Sequence, residues 1–151
     1  PTYGFGYGNT FFLTFDAAIP DDTTQYAWVK AELERIDRRR YPNVVVFEHQ
    51  PPISSGPHGG PLIESASATL RAFYMPLFRQ HHVRLLLTGH DHLFEHWVER
   101  YRDSSGAHRL DEIVSGGGGA PAYAYAGEPD LGEYLADGAV SRLEVEHLVR
   151  P

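Results

Sequence analysis

Two short apolar runs, each closed by a histidine-bearing loop, constrain this chain more than any other feature. They are "VVVFEH" (44–49) and "VRLLLT" (83–88), the second continuing into Gly89, His90, Asp91 and His92. Runs so apolar suit strands covered on both faces. "FFLTFDA" (11–17) predicts a further strand. Residues 23–40 predict a helix, because Tyr26, Val29, Leu33 and Ile36 recur on one face and Tyr41 and Pro42 stop it. Residues 67–80 predict a second helix through Leu70, Phe73 and Leu77, kinked or shortened by Pro76. Strand, helix, strand, helix, strand is the sequence form of an α/β layer, whose ligands gather just past the carboxyl ends of the strands. After Phe94 the pattern changes to "FEHWVERY", "RLDEIVS" and "SRLEVEHLV", which predict strands joined by glycine-rich turns, so the second half is mainly β.

Composition narrows the function classes. With 151 residues, 42% of them hydrophobic and 13% aromatic, one compact domain is expected. A net charge of -7 with no basic stripe argues against a nucleic-acid partner. The one basic cluster, Arg35 with Arg38, Arg39 and Arg40, falls where a helix ends and cations offset the partial charge of its last carbonyls. The chain has no cysteine, which excludes disulfides, thiolate zinc sites and a cysteine nucleophile. No run reaches the roughly 18 apolar residues of a membrane span, so no membrane partner is expected. The first residue is Pro1, which points to a processed or truncated start.

The histidines carry the chemistry. Gly89 lets the chain leave its strand sharply, and in an extended backbone His90 and His92 point to the same side. Two imidazoles so placed can meet one metal ion or two adjacent ones; the bland alternative is loop histidines bonded to backbone or water. His49 ends the other buried run, so three neutral nitrogen ligands could converge at one end of the sheet, as zinc, iron or manganese sites require. "GGGG" (116–119) lacks the Gly-Lys-Ser/Thr ending of a P-loop and suits a tight turn. His81, His82, His108 and His147 are assigned surface or satisfied roles, and Trp28 and Trp97 packing roles.

Three stretches, "VVVFEHQPPISSGPHG" (44–59), "LLLTGHDHLFEHW" (85–97) and "EIVSGGGGAP" (112–121), resemble in order and spacing the carboxyl-terminal half of the calcineurin-like metallophosphoesterases, above all the purple acid phosphatase branch. "YGFGYGNTFFLTFDA" followed by "QYAWVKAELERI" is similar to that family's middle section. The resemblance implies an α/β (α+β) fold that forms the carboxyl-terminal half of a four-layer αββα sandwich. It implies hydrolysis of phosphate esters, monoesters first and diesters or nucleotides as alternatives, at a binuclear centre of divalent or trivalent iron, zinc or manganese. His49 and His90 would bind one metal and His92 its neighbour. His58 would hydrogen-bond the substrate phosphate or protonate the leaving oxygen, its other reading being a solvent-facing loop histidine. An extracytoplasmic or secreted location is favoured by the same resemblance.

The chain departs from the family pattern in two places. Phe94 and His96 stand where the family often has tyrosine and arginine, and the family's first three motifs are absent, since Gly8 and Asn9 are followed by Thr10 rather than histidine. Residues 1–151 are therefore expected to be the carboxyl-terminal part of a single domain, inactive alone, whose amino-terminal half lies upstream or on another chain. The alternative is a noncatalytic relative or inactive fragment that binds a partner.

Overall fold

The computed structural model describes residues 2–136 and 138–149. Apolar runs become strands wherever both neighbours along the sheet are also strands. The elements in chain order are β1 (Tyr3–Tyr7), β2 (Thr10–Thr14), α1 (Thr23–Arg35), β3 (Asn43–Phe47), α2 (Ser65–Thr69), a π turn (Leu70–Tyr74), α3 (Met75–Gln80), β4 (Leu85–Thr88), β5 (Phe94–Asp103), β6 (Gly106–Ser115), α4 (Gly132–Ala136) and β7 (Val140–Val149). The strands form one mixed sheet in the order β1-β2-β3-β4-β6-β5-β7. β2, β3, β4 and β6 run parallel, and β1, β5 and β7 run antiparallel to their neighbours. The α/β first half and β-rich second half stand as the sequence predicts. β1, for which the sequence reading predicts no separate strand, pairs with β2 through a hairpin in which Gly8 takes a φ of 57°.

The register fixes which side chains share a face. Phe11, Leu13, Val44, Val46 and Leu86 lie on one face, buried with Val29 and Leu33 of α1 and with Tyr74, Leu77 and Phe78 of the second helical segment. Phe5, Phe12, Val45 and Leu85 alternate to the other face, as do Tyr3, Phe47, Leu87 and Ile113. No described element covers that second face, so Tyr3, Phe5, Leu87 and Phe94 are exposed apolar side chains. This face therefore leaves a run of aromatic and aliphatic side chains open to solvent.

Two helices differ from the sequence prediction. α1 begins where Asp22 accepts hydrogen bonds from Thr24 N at 2.8 Å and Gln25 N at 3.0 Å. It ends at Arg35, not at residue 40, because Ile36 turns extended and is buried. Asp37 then accepts from Arg39 N at 3.0 Å, a local turn that competes with another helical round. The second helix runs through Pro76, but only because a π turn precedes it, widening the backbone where the proline lacks an N–H. The extra residue in that turn shifts the inward face. Phe73, predicted buried, is 59% exposed, and Tyr74 takes its place, stacked on Phe15 at 4.6 Å. Among the described residues no helix is long and apolar enough to cross a membrane.

Candidate metal centre

β3 and β4 are adjacent and parallel, with Val45 beside Leu85 and Phe47 beside Leu87, so their carboxyl ends emerge together. Two backbone bonds continue the pairing into the loops: Glu48 N donates to Leu87 O and Gly89 N to His49 O, each at 3.0 Å. This places His49 and His90 side by side, with His90 Nδ1 and His49 Nε2 sharing a hydrogen bond at 3.0 Å. The loop after β3 then returns His58, whose ring lies 4.1 Å from that of His90. His58 Nδ1 is 3.3 Å from a Glu64 carboxylate oxygen, and His90 Nε2 is 3.3 Å from the other.

His90 and His92 do not share a side as an extended backbone requires. His90 sits in the left-handed region at φ 63°, which costs an L residue about 1–2 kcal/mol and bends the chain between the two rings. His92 stacks on Tyr123 at 4.1 Å, and its Nδ1 donates to Pro121 O at 2.9 Å. The structure thus gathers His49, His58 and His90 with Glu64, and sets His92 on the adjoining wall. Glu64, which the sequence reading missed, directly precedes α2. Its only sequence signal is an acid six residues after His58.

The residue between the two histidines braces the loop. Asp91 is fully buried, and its carboxylate accepts from His58 N at 3.1 Å and Gly59 N at 3.2 Å. A Cβ on Gly56 would lie 2.4 Å from the Asp91 carboxyl carbon, and one on Gly116 2.1 Å from its carbonyl oxygen. Glu95 holds the same loop through Ser55 N and Oγ and accepts from Trp97 Nε1 at 2.9 Å. The Arg71 guanidinium reaches Pro52 O, Gly59 O and Asp130 O, each at 2.9 Å.

Burial, then the neighbouring His90, pushes His49 below the ordinary imidazole value, which keeps its ring neutral and its lone pair free. Below the loop, burial raises the Glu48 and Glu112 carboxyls well above the usual carboxylate range. Glu112 Oε1 accepts from Ile53 N at 3.3 Å, whereas its Oε2 has no hydrogen-bond partner among the described residues, and the Glu48 carboxyl is engaged only weakly, by the backbone of Gln50. A carboxyl raised in the folded state stays protonated where the unfolded chain has released its proton. Stability therefore declines as pH rises from the unfolded value near 4.5 towards the raised folded one. Glu112→Gln keeps the acceptor for Ile53 and removes the titration. Urea unfolding should find the variant more stable than the parent at pH 8 and its decline above pH 5 shallower; parallel profiles would mean that Glu112 ionises freely when folded.

The donor set fits a metal ion. One atom from each of His58, Glu64 and His90 lies within 4.8 Å of the others, and the buried Glu64 Oε1 makes no hydrogen bond among the described residues, with His90 Nε2 3.3 Å away. Imidazoles with a carboxylate suit zinc, iron or manganese.

No family model matches the chain. Over 73 residues, 48% of its length, it is 33% identical to a purple acid phosphatase of Glycine max, of which it spans 15%. In fold it is similar to the purple acid phosphatase PPD1 from yellow lupin seeds (TM-score 0.65, 22% identity, 83% of this chain and 24% of that one). It is also similar to GAP50, the anchor in the inner membrane complex of Plasmodium (TM-score 0.57, 17% identity, 95% of this chain and 42% of that one). PhoD gives a TM-score of 0.51 at 14% identity, over 76% of this chain and 28% of that one. The chain therefore spans less than half the length of each of these proteins. By sequence over those 73 residues and by fold over most of its length, the chain is similar to one part of the purple acid phosphatases.

Proposed function

We propose that the chain carries the histidine side of a metal-dependent phosphoester hydrolase acting on phosphate monoesters. The observation that supports this best is the meeting of His49, His58, His90 and Glu64 at the carboxyl ends of β3 and β4. His49 and His90 would hold one ion and His92 a second, with Glu64 close enough to join the first. Bound metal ions supply Lewis acidity and an activated water. His58 does the proton work: Asp91 fixes its backbone, Glu64 engages Nδ1, and Nε2 is left to protonate the leaving oxygen. The remaining ligands, and the layer over the open sheet face, would come from an amino-terminal segment in the same protein or on another chain.

His58→Ala, made in the full polypeptide that carries these residues, should slow hydrolysis of an aryl phosphate roughly 10²-fold, the scale for losing a positioned general acid, while metal content stays unchanged. Loss of metal would instead place His58 among the ligands, and an unchanged rate would make it a solvent-facing loop residue. A second reading, a noncatalytic partner-binding relative, is favoured by the exposed Tyr3, Phe5, Leu87 and Phe94 and by the fold likeness to GAP50, itself an anchor. Turnover that depends on His58 excludes it.

A further inference from the structure

A second cluster sits at the opposite end of β4. The strand is flanked by left-handed histidines, His82 at φ 50° before it and His90 at φ 63° after it. His82 closes α3. Its N–H donates to Arg79 O at 3.0 Å, and Val83 N donates to Phe78 O at 2.9 Å. This two-bond helix stop ordinarily takes glycine, which has no Cβ to strain. A histidine here is the wrong residue for the backbone, so its ring invites another explanation.

That ring meets the tip of the β5–β6 hairpin. His82 Nε2 lies 2.7 Å from Asp103 Oδ2, and His108 Nε2 lies 2.9 Å from Asp103 Oδ1. The two imidazoles stack at 4.1 Å with 13° between their planes. Ser105 Oγ lies 2.9 Å from His108 Nε2 and donates to Asp103 Oδ1 at 2.7 Å. One atom from each of His82, Asp103 and His108 falls within 4.8 Å of the other two. Ligands about 2.0–2.1 Å from a tetrahedral zinc stand about 3.3 Å apart, so small ring rotations admit an ion. A cavity of 380 Å³ opens beside His82 and His108 and has room for water as a further ligand. Arg38, Arg84 and Arg109 line it; Asp111 engages Arg84 and Arg109, which limits their repulsion of a cation, and Arg38 donates to Pro42 O and His82 O.

We propose that His82, Asp103 and His108 form a separate divalent-cation site of zinc type, with water in the fourth position, that ties the α3–β4 corner to the β5–β6 hairpin. This is independent of the phosphoesterase reading, because none of the three touches the β3–β4 loops. The same contacts without an ion would be a plain hydrogen-bonded clamp, and zinc itself separates the two. The full polypeptide, stripped with a chelator, would be titrated with Zn²⁺ alone beside His82→Gly, His108→Ala and Asp103→Asn. His82→Gly suits the helix stop better than the native residue, so it should fold and melt within a few degrees of the parent without metal. Asp103→Asn keeps hydrogen-bonding capacity but loses the anionic ligand. The expected result is one fewer zinc equivalent in each variant, loss of the zinc-induced rise in melting temperature that the parent shows, and unchanged aryl phosphate hydrolysis in metal-replete buffer. Equal zinc stoichiometry in the parent and in folded His82→Gly and Asp103→Asn would overturn the site and leave the clamp.

Discussion

His90→Ala is expected to strip metal from the β3–β4 site and return aryl phosphate hydrolysis to the uncatalysed background. His90 is the side chain through which the site is joined: one ring nitrogen faces His49 and the other faces Glu64, with His58 packed against the ring. A bound metal would lower the pKa of its water, and without one no remaining side chain replaces that activation. His90→Gly is the informative companion. Glycine relieves the strain at φ 63°, so this variant should melt no lower than the parent while losing metal and rate alike. Metal content and turnover both preserved in His90→Gly would remove His90 from the ligand set.

Arg71→Leu should cost about 3 kcal/mol or more in urea unfolding, the largest stability loss expected in the chain. The leucine leaves Pro52 O and Gly59 O without their donor in a buried loop, where each unpaired group costs about 1–3 kcal/mol, and also releases the exposed Asp130 O. The loss should spread to catalysis, because Gly59 adjoins His58 and both are positioned from the same segment. Arg71→Lys should recover only part of the loss, since an ammonium cannot span three carbonyls held by a planar guanidinium. A near-parental midpoint for Arg71→Leu would mean that water serves the loop as well as the side chain does.

The strands were legible because their signal is local. Val44 to Val46 and Leu85 to Leu87 are apolar without interruption, and a histidine-bearing loop after each follows from chain order alone. The pairing of β3 with β4 as parallel neighbours, which brings the loops together, fits the alternating strand and helix order of the first half. What sequence could not give were departures from regular backbone. The left-handed turn at His90 parts two histidines that ideal geometry puts side by side, and the π turn before Pro76 exchanges Phe73 for Tyr74 in the core. Glu64 and Arg71 escaped notice for another reason: acids near helix starts and arginines on helices are ordinary surface residues until a loop folds over them. The same limit hid the His82, Asp103 and His108 cluster, whose members come from a helix stop and the two arms of a hairpin.

Asp91 is wedged where three stretches of chain meet, with Gly56 on one side and Gly116 on the other. The gap at each glycine is narrower than any side chain, so a substitution at either must push Asp91 aside and carry with it both the His58 loop and the turn that aims His90. A side chain added at either glycine would therefore disturb the His58 loop and the His90 turn together rather than one of them alone.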